Sequence, residues 1–247
     1  MGFEIAGKAS LVTGANRGIG KAIVEALLRA KASKVWAGTR RVEELSALKA
    51  AYGDRLQVLK LDVTREAEIA AAARAATDVA LLVNNAGVAN MLGTPPTDAE
   101  WLRVGRQEFD VNFFGSFAVS QAFAPALARN RGAIVNVVSV AGLVNFPAFL
   151  SYSASKAALH SLTQGLRAAL KGEGIQVFGV YPGPVDTEMA KGIPLDKTPA
   201  KDVAQAILEG LAAGTEDIFP DPMARQLGET FLKNPKALEE QAASVPV

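Results

Sequence analysis

Short apolar runs alternate with longer amphipathic segments along almost the whole chain. Seven runs have the length of a strand, at residues 9–13, 34–38, 56–61, 79–84, 133–139, 175–181 and 217–219. Most of them are continuously apolar, which is typical of strands covered on both faces. The segments between them have the spacing of amphipathic helices, at residues 19–30, 42–52, 65–76, 100–129, 152–171 and 200–213. This alternation predicts an α/β fold, a doubly wound parallel sheet of about seven strands with helices on both faces.

Two stretches near the C-terminal end have no clear strand or helix pattern. Residues 183–199 follow the sixth strand, and the carboxyl ends of strands line the ligand crevice in such sheets, so we predict a substrate lid there. The tail over residues 223–247 is expected to cover this site or a neighbouring subunit, and the sequence does not decide which. No linker-like composition divides the chain, so we expect one domain over residues 1–247.

Composition excludes several classes of protein. The net charge of +1 gives no electrostatic footprint for nucleic acid or an anionic membrane. With no cysteine and a single histidine, His160, we expect neither a disulfide framework nor a thiolate or multi-histidine metal site. The first residues lack a signal-peptide pattern, and we expect no apolar run to be long enough to span a bilayer. We therefore predict a cytoplasmic protein without nucleic-acid or membrane partners.

A glycine-rich loop joins the first predicted strand to the first predicted helix. Its spacing is G-x-x-x-G-x-G, at Gly14, Gly18 and Gly20. Such glycines permit a tight turn and close approach to a ligand, and the following helix offers free N–H groups to a pyrophosphate. A plain tight turn would explain the glycines alone, but their position between strand and helix favours a dinucleotide in a Rossmann-type fold. The candidate ligands are Gly14, Asn16, Arg17, Gly18, Ile19 and Gly20.

The end of the second strand predicts which dinucleotide is bound. An acidic residue there would accept the ribose 2′-hydroxyl of NAD, but this chain has Thr39 and Arg40, with no carboxylate before Glu43. Arg17 lies in the glycine loop itself. Two guanidinium groups near one ribose favour a 2′-phosphate, so we predict NADP(H) rather than NAD(H).

Tyr152 and Lys156 stand four residues apart on a predicted helix and therefore share one face. An ammonium beside a phenol favours the phenolate, so we expect Lys156 to lower the pKa of Tyr152. Most such pairs are ordinary solvated helix faces. The pair becomes a candidate proton-transfer device only because the chain also offers a cofactor loop.

Taken in order, the motifs resemble those of the short-chain dehydrogenase/reductase family. They are the glycine loop at 13–20, Asp62-Val63, Asn84-Asn85-Ala86-Gly87, Asn112-Phe113-Phe114-Gly115, Ser139 thirteen residues before Tyr152, Lys156, and Pro182-Gly183. The resemblance runs from residue 5 to about 215. It implies a NADPH-dependent enzyme similar to carbonyl reductases, which reduces a ketone or aldehyde reversibly to an alcohol.

The resemblance also implies roles for single residues. Tyr152 would be the general acid or base, Ser139 would hydrogen-bond the carbonyl oxygen, and Asn112 would hold a water that links Lys156 to solvent. Lys156 would hold the nicotinamide ribose as well, and Tyr152 is also an implied cofactor contact. The remaining implied cofactor contacts are Asp62 and Val63 at the adenine, Asn85, Ala86 and Gly87 at its ribose, and Pro182, Gly183, Val185 and Thr187 at the nicotinamide.

The predicted substrate pocket is mainly apolar. The candidate pocket residues are Val88, Val144, Asn145, Phe146, Phe149, Tyr181 and Met189, and their mainly apolar character favours an apolar or aryl carbonyl compound. A 3-oxoacyl-carrier or CoA reductase stays open, as does a non-catalytic nicotinamide-nucleotide sensor. Because members of this family often pair their long helices between subunits, we expect a homodimer or homotetramer.

Overall fold

A computed structural model describes residues 2–92 and 94–244. Its centre is a seven-stranded parallel sheet of order β3-β2-β1-β4-β5-β6-β9. The strands are β1 (Ala9–Thr13), β2 (Lys34–Thr39), β3 (Leu56–Lys60), β4 (Val79–Asn84), β5 (Ala133–Val137), β6 (Gln176–Val180) and β9 (Asp217–Ile218). Two further short strands, β7 (Val185–Asp186) and β8 (Thr198–Pro199), pair only with each other.

Helices cover both faces of this sheet. They are α1 (Gly18–Arg29), α2 (Ser46–Tyr52), α3 (Glu66–Ala75), α4 (Glu100–Phe109), α5 (Ser116–Arg129), α6 (Leu150–Leu170), α7 (Ala200–Ala213), α8 (Pro222–Lys233) and α9 (Pro235–Ala243). One core lies between the sheet and the α1/α7 layer, and a second lies between the sheet and the α3/α5 layer. The predicted doubly wound α/β fold is confirmed.

The largest difference from the sequence-based elements lies after β9. Helices α8 and α9 were not predicted as helices, although each begins with a cap residue followed by proline. The side chain of Asp221 accepts a hydrogen bond from the Ala224 N–H, and that of Asn234 accepts one from the Ala237 N–H. A capping oxygen and a proline at the first helical position together favour helix initiation.

The predicted helix over 100–129 is one continuous helical stretch with a distortion in the middle. A π-helical turn, Asp110–Gly115, separates α4 from α5. At 30 residues, with mean hydropathy of 1.2 in its most apolar part, the stretch could cross a membrane by length and composition alone, contrary to the expectation from sequence. The apolar residues have another use, since Val119, Phe123 and Leu127 are fully buried in the core beneath the sheet.

The glycine loop is packed against the turn that follows β4. Gly14 has φ +63°, and a Cβ there would lie 2.9 Å from the Ala86 Cα. A Cβ on Gly20 would lie 2.3 Å from the Gly14 carbonyl oxygen and 2.5 Å from the Asn85 side-chain nitrogen. The loop therefore tolerates no side chain at Gly20 without moving apart.

Gly20→Ala should lower the free energy of unfolding by about 1–3 kcal/mol, because the added methyl group overpacks this contact. Gly165→Ala is the matched control, since Gly165 is an exposed residue of α6 with no atom within 4 Å of an added Cβ. That control should gain about 0.5–1 kcal/mol from reduced backbone entropy in a helix. Urea unfolding of both variants checks the pair, and an equal effect of the two substitutions would contradict the packing argument.

Candidate active site

A cavity of about 870 Å³ opens at the carboxyl ends of the parallel strands. It lies where the order of the sheet reverses, between β1 and β4, which is the usual ligand site of a doubly wound sheet. Its walls contain every predicted ligand of the glycine loop, the predicted residues of the second and third strand ends and of the Asn85–Gly87 turn, and Pro182, Gly183, Val185 and Thr187. Ser139, Tyr152 and Lys156 lie in the same cavity. Sequence positions far apart in the chain are thus brought together.

Three predicted pocket residues do not line the cavity. The Tyr181 hydroxyl lies 2.8 Å from Nδ1 of His160 and 3.3 Å from an Asp217 carboxylate oxygen, and its ring stacks on Phe219. The Asn145 amide donates to the Leu150 carbonyl oxygen, and Val144 packs against the cluster formed with α8 and α9. The prediction that Val144, Asn145 and Tyr181 face a substrate is therefore not met, because each has partners elsewhere. Val88, Phe146, Phe149 and Met189 do line the cavity.

Hydrogen bonds from two side chains brace the glycine loop. The Thr13 hydroxyl accepts from the N–H groups of Asn85 and Ala86, both at 3.0 Å. The Asn85 amide donates to the carbonyl oxygens of Thr13 at 2.9 Å and Gly14 at 3.2 Å. The end of β1 and the end of β4 are therefore held together at the centre of the cavity wall.

The guanidinium groups at the glycine-loop end of the cavity differ in their partners. Arg41 forms an ion pair with Glu44 at 2.8 Å, and Glu44 also accepts a hydrogen bond from the Asn16 amide. Within residues 2–92 and 94–244, neither Arg17 nor Arg40 has an ion-pair partner within 4 Å, and both line the cavity. Two guanidinium groups are thus available to an anion.

Asp62 stabilises a turn and also lines the cavity. Its Oδ1 accepts hydrogen bonds from the N–H of Thr64 at 3.0 Å and from the Thr64 hydroxyl at 2.8 Å, so it stabilises the turn after β3. The same side chain lines the cavity. Burial raises the pKa of Asp62, but the hydrogen bonds from Thr64 and the nearby charges of Arg40 and Arg65 outweigh it and lower the pKa overall. The group is therefore a carboxylate acceptor at neutral pH.

Tyr152, Ser139 and Lys156 form the polar centre of the cavity. The Lys156 Nζ donates to the Val137 carbonyl oxygen at 2.8 Å and lies 5.7 Å from the centre of the Tyr152 ring. The Ser139 hydroxyl accepts from the Ala141 N–H at 3.1 Å and donates to the Pro182 carbonyl oxygen at 3.3 Å. The end of β5, the start of α6 and the Pro182-Gly183 turn therefore meet at one point.

Burial shifts the pKa values of Tyr152 and Lys156 away from those expected from the sequence. Burial raises the pKa of Tyr152 to about 12; a hydrogen bond with Ser139 opposes the shift and the charge of Glu108 adds to it. Burial also lowers the pKa of Lys156 to about 7. The sequence-based expectation that Lys156 lowers the pKa of Tyr152 is therefore wrong for this structure, since desolvation dominates both groups.

Asn112 lies behind the cavity wall rather than on it. It is fully buried in the π-helical turn. Its amide donates to the Val88 carbonyl oxygen and the Ser155 hydroxyl, both at 2.9 Å, and its Oδ1 accepts from the Val88 N–H at 2.9 Å. A Cβ on Gly87 would lie 3.3 Å from this Oδ1 and 3.6 Å from the Lys156 Nζ, so both groups point towards the same glycine.

The region around residues 183–199 forms one wall of the cavity. The short pair β7–β8 anchors both of its ends, and the Thr187 hydroxyl donates to the Val185 carbonyl oxygen at 3.2 Å. A Cβ on Gly18 would lie 3.0 Å from a methyl carbon of Thr187, so this segment touches the glycine loop. The predicted lid is thus a wall fixed at two points.

The C-terminal part contributes two residues that sequence reasoning missed. Asp221 is buried; its Oδ2 accepts from the Gly183 N–H at 2.8 Å, and its Oδ1 accepts from the Ala224 N–H at 2.8 Å. Met223, in the first turn of α8, lines the cavity. The Asp-Pro pair before α8 was the available signal for this cap. This part of the tail therefore contributes to the cavity of its own chain.

Comparison with known proteins identifies the class. The profile of the family described as short chain dehydrogenase matches residues 8–198. The protein belongs to this oxidoreductase family.

Three curated relatives are similar over most of this chain. The chain is 40% identical over 184 residues to short-chain dehydrogenase PC-15 of Penicillium crustosum, covering 72% of this chain and 65% of the relative. It is 40% identical over 197 residues to a galactitol 2-dehydrogenase (L-tagatose-forming) of Cereibacter sphaeroides, covering 76% and 75%. It is 36% identical over 203 residues to a 3-alpha-(or 20-beta)-hydroxysteroid dehydrogenase of Mycobacterium tuberculosis, covering 79% and 76%. The chain thus matches about two thirds to three quarters of each relative's length.

A solved structure resembles nearly the whole chain. The short chain dehydrogenase of Burkholderia cenocepacia J2315 in complex with NADP has a TM-score of 0.91 and 38% identity, covering 99% of this chain and 100% of that one. The likeness includes the region after residue 198 that the family profile does not reach.

Asp221→Ala should release both the α8 N-terminus and the Gly183 N–H. We expect a loss of about 1 kcal/mol in the free energy of unfolding from the missing cap, with faster amide hydrogen exchange at Gly183. Asn234→Ala removes the equivalent cap of α9, which has no hydrogen bond to Gly183, and serves as the control. Unchanged exchange at Gly183 in Asp221→Ala would contradict this role.

The buried Lys156 should make stability depend on pH. Its pKa is about 7 in the folded protein against 10.5 ordinarily, so between these values the unfolded chain binds more protons and stability rises with pH. The free energy of unfolding of the wild type should therefore rise relative to Lys156→Met between about pH 7 and 10.5, and level off below pH 7. Urea unfolding across this range tests it, with the exposed Lys201→Met as control. Parallel curves for wild type and Lys156→Met would rule out the shift.

Proposed function

We propose that this protein is an NADP(H)-dependent oxidoreductase that reduces a ketone or aldehyde reversibly to an alcohol, acting on apolar or aryl carbonyl compounds. One observation carries the proposal. One cavity joins the glycine loop, Arg17 and Arg40 to the Ser139, Tyr152 and Lys156 centre, and neither arginine has an ion-pair partner within the part of the chain that the structure describes.

The residues present fit a dinucleotide phosphate. The glycine loop has backbone close to the cavity at Gly14 and Gly18, both with positive φ, and the N-terminus of α1 follows it. Such N–H groups suit a pyrophosphate. Arg17 and Arg40 suit a 2′-phosphate because they line the cavity without ion-pair partners in the described residues, whereas Arg41 is held by Glu44. The NADP complex of the Burkholderia relative supports the same choice.

The residues at the other end suit proton transfer to a carbonyl oxygen. NADPH would supply the hydride, and the protein supplies the proton and the geometry. Tyr152, whose pKa is about 12, is protonated at neutral pH and can donate its phenolic proton to the oxygen that gains negative charge. Ser139 would donate a hydrogen bond to the same oxygen once its hydroxyl turns away from the Pro182 carbonyl oxygen, since it has a single proton to donate. In the reverse direction Tyr152, once deprotonated, accepts the proton of the alcohol.

Lys156 and Asn112 would return the proton to Tyr152. The pKa of Lys156 is about 7, so its amine exchanges protons readily near neutral pH. Asn112 has one lone pair on Oδ1 beyond its bond to Val88, and this atom and the Lys156 Nζ both approach Gly87. A water between them would complete the relay inferred from the family motifs.

The substrate end of the cavity is mainly apolar. Its wall comprises Val88, Met91, Phe146, Phe149, Met189, Ile193, Leu195 and Met223. Glu188 is the charged side chain of this wall. An apolar or aryl carbonyl compound matches such a wall better than a charged one. The hydroxysteroid dehydrogenase among the relatives supports a bulky apolar substrate, whereas the galactitol 2-dehydrogenase favours a polyol as the second candidate.

A homodimer or homotetramer fits the surface of the long helical stretch. Leu102 and Phe114 are 63% and 56% exposed on it. Burial of large apolar side chains by a second copy would remove them from water. A cytoplasmic location stays a prediction from sequence.

A carbonyl panel with NADPH and NADH, run on wild type and Tyr152→Phe, tests the proposal. We expect NADPH to be preferred, aryl and alicyclic ketones to react faster than the ketose L-tagatose, and Tyr152→Phe to lose at least about 10²-fold in kcat because the proton donor is gone.

The outcomes separate the parts of the proposal. Preference for NADH would overturn the argument from Arg17 and Arg40. Full activity of Tyr152→Phe would overturn the mechanism. Faster turnover of L-tagatose than of every apolar ketone would make the polyol reading correct.

A further inference from the structure

Two side chains of the helical stretch that contains α4 repeat the same pattern of contacts. Asn112 bonds the backbone N–H and carbonyl of Val88 on the cavity wall, and donates to the hydroxyl of Ser155 on α6. Ser155 directly precedes Lys156. Asn112 thereby ties the wall segment after β4 to the helix that carries the lysine.

Glu108 makes the equivalent contacts four residues earlier. Its Oε1 accepts from the Asn90 backbone N–H at 2.7 Å and from the Asn90 amide at 3.1 Å. Its Oε2 accepts from the Ser151 hydroxyl at 2.5 Å. Ser151 directly precedes Tyr152, so Glu108 ties the same wall segment to the helix at the tyrosine.

The carboxylate of Glu108 stands in an unusual environment. The residue has no solvent-exposed surface, and within residues 2–92 and 94–244 no lysine, arginine or histidine nitrogen lies within ion-pair distance of it. A buried carboxylate is costly unless hydrogen bonds compensate it, and here three donors converge on it. An apolar side chain would fill the same space without the desolvation cost of a carboxylate. The hydrogen bonds of Glu108 with Asn90 and Ser151 are therefore the feature that needs a functional explanation.

We propose that Glu108 and Ser151 are positioning residues that fix the Tyr152 end of α6 against the substrate wall, as Asn112 and Ser155 fix the Lys156 end. The two pairs lie one helical turn apart. Each pair joins the segment 88–91 to the residue that directly precedes Tyr152 or Lys156. This inference rests on the proposed function.

The contacts of Glu108 with Asn90 also affect the substrate wall. Met91 follows Asn90 and lines the cavity. Its methyl carbon lies 3.7 Å from the position of a Cβ on Gly192, across the cavity mouth. Loss of the Asn90 anchor would therefore move both the tyrosine and the wall that faces it, while the glycine-loop end stays unchanged. Helices α4 and α6 are close there, since a Cβ on Gly105 would lie 3.1 Å from that of Ser151.

The test compares Glu108→Gln, Glu108→Ala and Ser151→Ala with wild type. Glutamine can still accept from Asn90 and donate to Ser151, so Glu108→Gln should keep kcat within about threefold. Glu108→Ala and Ser151→Ala should lower kcat for a ketone by about tenfold through misplacement of the proton donor. NADPH affinity, measured by isothermal titration, should stay within about twofold in all three, because the cofactor end is not touched.

A pH profile adds a readout that a purely structural role would not move. The charged or titratable side chains around Tyr152 are Lys156 on its own helix, Glu108 on α4 and Glu188 on the opposite wall, and Ser139 is neutral. Removing the negative charge in Glu108→Gln should lower the apparent pKa that Tyr152 contributes to the rate. Glu100→Gln is the matched control, since it removes a carboxylate from the same helix that is paired with Arg103 on the surface.

The results decide the proposal. If Glu108→Ala and Ser151→Ala keep the kcat of Glu100→Gln, or if NADPH affinity falls as much as kcat, the positioning role is overturned. If Glu108→Ala does not fold, Ser151→Ala and Glu108→Gln decide it alone. Full activity of Tyr152→Phe would instead overturn the proposed function, so the two failures are distinguishable.

Discussion

The site depends on the hydrogen bonds that join the ends of β1 and β4. In a doubly wound sheet the helices leave these two strands in opposite directions, which opens a crevice and removes the packing that would hold the strand ends together. Thr13 and Asn85 replace that packing with hydrogen bonds between two backbone turns. The glycine loop, the start of α1 and the turn before Val88 all take their positions from this brace.

Burial then determines how the polar groups behave. Lys156 and Glu108 are buried and Tyr152 is partly buried within one small region, and burial favours the neutral forms of Tyr152 and Lys156 there. Hydrogen bonds to backbone carbonyls, amides and serines take the place of strong ion pairs. A site built in this way keeps a phenol protonated near neutral pH, which is the form needed to give up a proton.

The fold and the set of residues that meet in the cavity were largely predictable from the sequence because the sheet is parallel. All its strand ends lie at one edge, so polar residues that follow apolar runs must meet, which is why Ser139 and Pro182 converge with the glycine loop. The direction of a single side chain after a strand depends on the hydrogen-bond partners near it. The Tyr181 hydroxyl contacts His160 and Asp217, so this side chain does not face the cavity as the sequence predicts. The pKa of Tyr152 depends on its burial, and the four-residue spacing between Tyr152 and Lys156 does not predict how buried either side chain is. The Asp-Pro pair signals the helix cap at Asp221, but Asp221 contacts Gly183 and Glu108 contacts Ser151 across 38 and 43 residues of sequence, and no local pattern indicates those two contacts.

Asp221 links the two C-terminal helices to the site. One carboxylate starts α8 and holds the amide of Gly183, so the stability of the last two helices and the shape of the Pro182-Gly183 turn are coupled. The family profile ends at residue 198, before this residue. Relatives that share every motif of this chain but differ after that point can therefore differ in how firmly the turn is held, and substitutions in the tail offer a route to altered turnover that leaves the motifs intact.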